Sequence, residues 1–185
     1  RDFCLSRGLG DVYKRQAVSI IMYLQFLCIG IYFGFSMGLS TPLGYAYGDR
    51  NFSVCRVLEK YAYRFFSIAP IILYGCTYLL APIGVRFFAS PGSTVFDMAV
   101  SGLRLYGLGF LFSGINIFAA IRMMTYGKGY ISGMITFLRS FALLLLFLTV
   151  LPRFLELNGI WLAIPAAEIL TLIVALWTLR KKTVA

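Results

Sequence analysis

Residues Ala17–Gly48 read AVSIIMYLQFLCIGIYFGFSMGLSTPLGYAYG, 32 positions without one Asp, Glu, Lys or Arg. About 20 apolar residues of helix cross the hydrocarbon core of a bilayer, and a span is placed here at about 18–40. A helix that is apolar all round has no face to offer water, so it belongs in a core or in lipid. The pattern recurs. Phe65 to Val85 is a second uncharged run, and further spans fall at about 99–121, 130–151 and 160–179, interrupted by Arg104, Arg139 and Glu168 respectively. One such helix could be the buried centre of a soluble protein, but five could not. The expected fold is an all-α membrane protein, a polytopic bundle of five transmembrane helices with the lipid bilayer as solvent.

Composition agrees. Of 185 residues, 60% are hydrophobic and 13% charged, against roughly 25% charged in soluble domains. Histidine is absent, which removes the commonest general base and the Ser/His/Asp and Cys/His constellations. Cys4, Cys28, Cys55 and Cys76 show no CxxC spacing, so neither a zinc ribbon nor a redox pair is indicated. No catalytic set, no metal site and no enzymatic activity are expected. The net charge is +10. Its Lys and Arg are scattered between apolar runs rather than gathered on one polar face, which fits cytoplasmic loops and not a nucleic-acid partner.

Basic residues orient the spans. The first loop carries Arg50, Arg56, Lys60 and Arg64, the loop between spans three and four carries Arg122 and Lys128, and the tail carries Arg180, Lys181 and Lys182, nine in all, against two (Arg86, Arg153) on the opposite side. This places the first loop and the C-terminus in the cytoplasm. Trp161 and Trp177, 16 residues apart, are separated by roughly 24 Å at helical rise and suit two interfacial aromatic belts. Ser90-Pro91-Gly92-Ser93, Tyr126-Gly127-Lys128-Gly129 and Leu157-Asn158-Gly159 punctuate the later spans.

Residues 1–16 stand apart. Ser6 to Gln16, SRGLGDVYKRQ, resembles an in-frame translation of a transposase-type sequencing adaptor and butts against the apolar run at Ala17. Residues 1–16 are therefore expected to be non-native, with residues 17–185 forming the membrane bundle.

Within the spans, Gly30, Gly34 and Gly38 make two overlapping GxxxG steps, which predict a face for close helix approach. Tyr106, Gly109, Ser113, Asn116 and Ala120 fall at alternating steps of three and four, one small or polar stripe on a helix. The stripe reads as ordinary packing or as the wall of a substrate cavity, and a buried amide at Asn116 needs partners. Arg139 and Glu168 lie about 14 Å and 16 Å along the helix from the same side of the membrane. Intramembrane charges usually pair, so an Arg139–Glu168 ion pair is expected, either as a static tie or as part of a site. Arg104, near the end of its span, is expected to snorkel.

Thr41-Pro42-Leu43-Gly44-Tyr45-Ala46-Tyr47-Gly48-Asp49-Arg50-Asn51 resembles the signature that closes the eighth helix of multidrug and toxic compound extrusion (MATE) transporters, with Pro42 and Gly44 breaking the helix, Gly48 ending it, and Tyr45 and Tyr47 between them. Phe112-Ser113-Gly114-Ile115-Asn116 is similar to the tenth helix of that family, Gly127-Lys128 to the turn after it, and Arg139 to a basic residue of the eleventh. Leu157-Asn158-Gly159-Ile160-Trp161 followed by Pro165-Ala166-Ala167-Glu168 resembles the twelfth. The resemblance covers residues 17–185 in order. It implies most of one six-helix lobe of a twelve-helix exporter, with the N-terminal six-helix lobe as the missing partner. The implied function is antiport of cationic or amphipathic drug-like compounds against H⁺ or Na⁺ by alternating access in the cell (inner) membrane. Substrate-cavity candidates are Tyr106, Ser113, Asn116, Arg139 and Glu168. No cofactor is implied, and the coupling ion is expected to bind in the absent lobe, because the tenth-helix stretch carries Ile115 and Asn116 where some members have a carboxylate. The alternatives are a lipid-linked saccharide flippase of the same superfamily and a non-catalytic membrane subunit.

Overall fold

A computed structural model describes the backbone of residues 2–180 and the side chains of residues 12–179. It is helical almost throughout: α1 (Asp2–Gly48), α2 (Phe52–Arg86), α3 (Thr94–Tyr106), α4 (Phe110–Thr125), α5 (Gly129–Phe137), α6 (Leu143–Val150) and α7 (Pro152–Arg180). A 3₁₀ turn, Gly107–Gly109, joins α3 to α4, and a π turn, Leu138–Ala142, joins α5 to α6. These joined pairs are single rods, so among the described residues five rods are long and apolar enough to cross a bilayer. A helix closes its backbone bonds within itself, so such rods leave little polar backbone to meet lipid. The chain is a multi-pass membrane protein.

The rods run past the limits read from hydropathy. α2 has 35 residues, about 50 Å at 1.5 Å per residue, well beyond a hydrocarbon core of about 30 Å. The basic residues assigned to a long first loop therefore sit mostly on helix. Only residues 49–51 form the turn, with Arg50 at φ 55°, while Arg56, Lys60 and Arg64 lie exposed on one face of the first turns of α2. Asn51 caps α2, its side chain accepting from Val54 N at 3.4 Å and from Ser53 Oγ at 2.6 Å.

The break expected at Pro42 and Gly44 does not occur: α1 continues through both to Gly48. Pro42 only forfeits one ladder bond, which membrane helices absorb. Gly44 instead permits a close approach, since a Cβ there would lie 3.3 Å from Thr125 Cγ2 of α4. The Leu157-Asn158-Gly159 break is likewise displaced. α7 begins at Pro152 and bends at Glu156 (φ 49°, ψ −124°). Gly159 is where the bent chain crowds itself, its absent Cβ being 2.5 Å from the Leu151 carbonyl. The turn after α4 is as expected, Gly127 supplying φ 74°.

The α3–α4 rod is the most buried and forms the centre around which α1, α2 and α7 pack. The main core joins Ile20, Ile21 and Tyr32 of α1, Phe66 of α2, Leu103, Phe110 and Phe118 of the central rod, and Trp161 of α7. Trp161 is thus a core residue, 3% exposed, rather than an interfacial one, while Trp177 is 55% exposed. Trp161 lies over Gly102, where a Cβ would sit 2.8 Å from both its ring and Ile21 Cδ1. The close approach expected at Gly30, Gly34 and Gly38 is not made, no atom lying within 4 Å of a Cβ built at any of them. The tightly packed glycines are Gly102 and Gly114 on the central rod, the latter against Phe66 and Tyr32.

Candidate functional site

The polar stripe of the central rod survives its change of helix type. Tyr106, Gly109, Ser113, Asn116 and Ala120 are all buried. Ser113 Oγ donates to Gly109 O at 2.8 Å, across the junction of the 3₁₀ turn and α4. Tyr32 of α1, fully buried, donates to the Phe110 carbonyl at 2.9 Å, which fixes α1 against the 3₁₀ junction.

The two intramembrane charges meet as the matched depths predicted. Arg139 donates to Glu168 Oε1 from Nε at 3.2 Å and from Nη2 at 2.6 Å. Asn116 Nδ2 donates to Glu168 Oε2 at 2.6 Å and to the Glu168 carbonyl at 2.9 Å. Both neighbours of that nitrogen are pure acceptors, which fixes the amide orientation. Asn116 Oδ1 is then left buried without a donor among the described residues. Glu168 is 5% exposed and Asn116 is fully buried. Three rods, α4, α5–α6 and α7, are tied through one carboxylate.

This cluster borders a cavity of about 180 Å³ lined by Gln25 and Ile29 of α1, Tyr106, Phe110 and Ser113, Arg139, Ser140 and Leu144, and Ile164 and Glu168. Of the five cavity candidates, Tyr106, Ser113, Arg139 and Glu168 line it, and Asn116 stands behind Glu168. Gln25, whose Oε1 accepts from the Tyr106 hydroxyl, escaped the sequence reading. Its signal was a lone amide inside the uncharged run of α1. Arg104 is a separate matter: its Nε donates to the Tyr78 carbonyl at 3.3 Å and its guanidinium lies 4.8 Å from the Tyr78 ring centroid. It is held against α2 and takes no part in the cavity lining.

The helix-end motif lies at another place, where α1 turns into α2. Tyr47 packs against Tyr126 with centroids 4.5 Å apart and the rings tilted by 37°, while Tyr45 is 76% exposed. Leu43 and Ala46 pack with Cys55 and Tyr126. Tyr126 also meets a second ion pair that the sequence did not disclose. Arg122, assigned to a loop, is 3% exposed and bound through Nε to Glu59 of α2. Tyr126 donates to the same carboxylate oxygen at 2.7 Å. Burial, and then that bond to Glu59, pushes the Tyr126 phenol above its ordinary range, so it stays a protonated donor. Arg122 Nη1 is buried without a partner among the described residues. Lys181 and Lys182, counted in orienting the chain, lie outside the described residues, as do the side chains of Arg180 and residues 1–11.

Among solved structures, the fold aligns with the Vibrio cholerae MATE transporter VcmN in a point-mutant form (TM-score 0.81, 20% identity, 89% of this chain) and in its bent form (0.81, 19%, 97%). It also aligns with an inward-facing multidrug resistance MATE transporter of the MOP superfamily (0.76, 22%, 88%). The chain has the MATE transporter fold. It spans only 37–42% of the length of those MATE transporters. No family model and no curated protein matches the sequence. At such identities the MATE likeness concerns architecture, and function has to be argued from the cavity.

Proposed function

We propose that this chain is most of one six-helix lobe of a cation-coupled exporter that expels amphipathic or cationic compounds in exchange for H⁺ or Na⁺ by alternating access. The observation that supports it is the polar cavity inside a MATE-fold bundle, bordered by Glu168, Arg139, Tyr106 and Gln25. Charged groups at membrane depth are costly and mark substrate or ion paths. Bundles of this kind work by rocking one repeat against another around a midplane site. Asn116 and Ser113 shape the wall, and Glu168 supplies the negative charge that a cationic compound needs. The coupling ion binds in the partner lobe.

The flippase alternative asks for a basic cavity to hold pyrophosphate. Here the lining has one cation, Arg139, already neutralised by Glu168, while Arg104 faces Tyr78. The lining thus leaves no unpaired cation to hold a pyrophosphate. The protein sits in the cell membrane with its α1–α2 turn and C-terminus in the cytoplasm, the side of the Arg56, Lys60 and Arg64 stripe.

The test is efflux of a cationic dye from cells producing the complete transporter. Efflux is expected to stop when the H⁺ or the Na⁺ gradient is collapsed by an ionophore, and to fall sharply in Glu168→Gln at equal protein level. Efflux that survives loss of both gradients, or that ignores Glu168→Gln, removes this reading.

A further inference from the structure

While Arg139 holds Glu168, the carboxylate has little to give a ligand. A carboxylate offers about four acceptor positions. Three are filled here, two by Arg139 on Oε1 and one by Asn116 on Oε2. Its charge is neutralised as well, so an organic cation entering the cavity meets a net-neutral pair. Two cations sharing one buried carboxylate would repel each other in a medium of low dielectric. The incoming cation gains the full attraction only if the guanidinium leaves.

Arg139 is placed to leave. It lies in the π turn Leu138–Ala142, between the regular segments α5 and α6. Such turns insert one residue into the ladder, are local points of bending and recur at functional sites. Successive residues of a regular helix point about 100° apart, yet Arg139 and Ser140 both line the cavity. A change of that turn to α geometry would rotate the residues on one side of it relative to the other, which gives Arg139 a local route away from the carboxylate. The remaining surface suits an organic cation, with Tyr106 and Phe110 presenting aromatic rings 6.0 Å apart. A cavity of about 180 Å³ is smaller than the roughly 300–1,000 Å³ of drug-sized pockets. It has room for a cationic head group and not for a whole drug.

We propose that Arg139 is a tethered internal counter-ion, which neutralises Glu168 when no ligand is bound and is exchanged for the cationic head of an organic cation. This rests on reading the cavity as a substrate wall. The exchange spares the bundle an unpaired buried carboxylate between transport events, and it biases the site against neutral compounds, which cannot replace the guanidinium.

The complete transporter in detergent micelles is titrated with benzyltrimethylammonium, a quaternary cation with no N–H to donate. In the same samples Arg139 is labelled with phenylglyoxal and followed by mass spectrometry. Binding is expected to weaken in Glu168→Gln, and bound cation is expected to speed Arg139 labelling several-fold, because the guanidinium has been released. Arg139→Gln is expected to bind about tenfold tighter, the equivalent of 1.4 kcal/mol. If cation binding depends on Glu168 but labelling of Arg139 is unchanged or slowed, the exchange is wrong and the cavity reading stands. Equal or weaker binding in Arg139→Gln also overturns the exchange. If neither wild type nor Arg139→Gln binds the cation in a Glu168-dependent way, both fail.

Discussion

Replacing Glu59 with leucine should destabilise the bundle far more than its place near a helix start suggests. Glu59 is 12% exposed in its side chain and Arg122 is 3% exposed. Removing the acid strands a guanidinium that already has one buried nitrogen without a partner. Breaking a buried pair from one side costs about 3–5 kcal/mol. The partial exposure of Glu59 lets some water reach the site, so the lower end, about 3 kcal/mol, is expected. Tyr126 loses its acceptor at the same time, adding about 1 kcal/mol.

The double variant Glu59→Leu/Arg122→Met supplies the control. Exchanging a whole buried pair for apolar groups is often neutral or stabilising by about 1–4 kcal/mol, and the orphaned Tyr126 hydroxyl offsets about 1 kcal/mol of that. The double variant should therefore lie close to wild type. Cys55, fully buried one helical turn before Glu59, is the reporter: in a protein keeping only this cysteine, thiol labelling is followed through a reversible sodium dodecyl sulfate titration. A single variant that loses less than about 1 kcal/mol, or a double variant that loses as much as the single, refutes the claim that the cost is an uncompensated charge.

Gly102→Ala should cost about 1–3 kcal/mol in the same titration, because its Cβ would overlap Ile21 and Trp161, whereas Gly30→Ala, which meets no atom within 4 Å, should be neutral or gain up to about 1 kcal/mol of helix propensity. Asn116→Leu should cost about 1–3 kcal/mol, since it removes two donated bonds to Glu168, and it should lower dye efflux; unchanged stability and efflux would take Asn116 out of the site. In a cysteine-free background, Pro91→Cys should react with an impermeant maleimide on intact cells and Gly127→Cys only after permeabilisation; the opposite pattern would invert the proposed orientation.

The rods were legible because lipid acts on composition alone. A long uncharged run has few alternatives to a spanning helix, and so all five were found. Their ends were misplaced because hydropathy marks where lipid stops and not where hydrogen bonding stops. α2 carries Arg56, Lys60 and Arg64 as helix beyond the apolar run, and α1 passes through Pro42 because one forfeited bond costs less than breaking a rod. Arg139 and Glu168 were legible for the opposite reason: each is a charge inside an apolar run, and only another charge at its depth can offset it. Glu59 and Arg122 obey the same rule, but each lies at the edge of its run, where a charge ordinarily faces water, so composition could not separate a buried pair from two solvated loop residues.

That difference in position implies a difference in what the two pairs can do. The Glu59–Arg122 pair ties α2 to α4 and is bonded by Tyr126, with Arg122 held between the carboxylate and the ring of Tyr126 at 5.1 Å. No regular helix there is interrupted, so breaking the pair means unpacking the bundle. The Arg139–Glu168 pair borders a cavity, and its arginine sits in the one π turn among the described residues, so it can open by a local change of helical register. Burial alone does not make an intramembrane charge functional. What separates the two pairs is that one borders a cavity and carries its cation on an irregular turn.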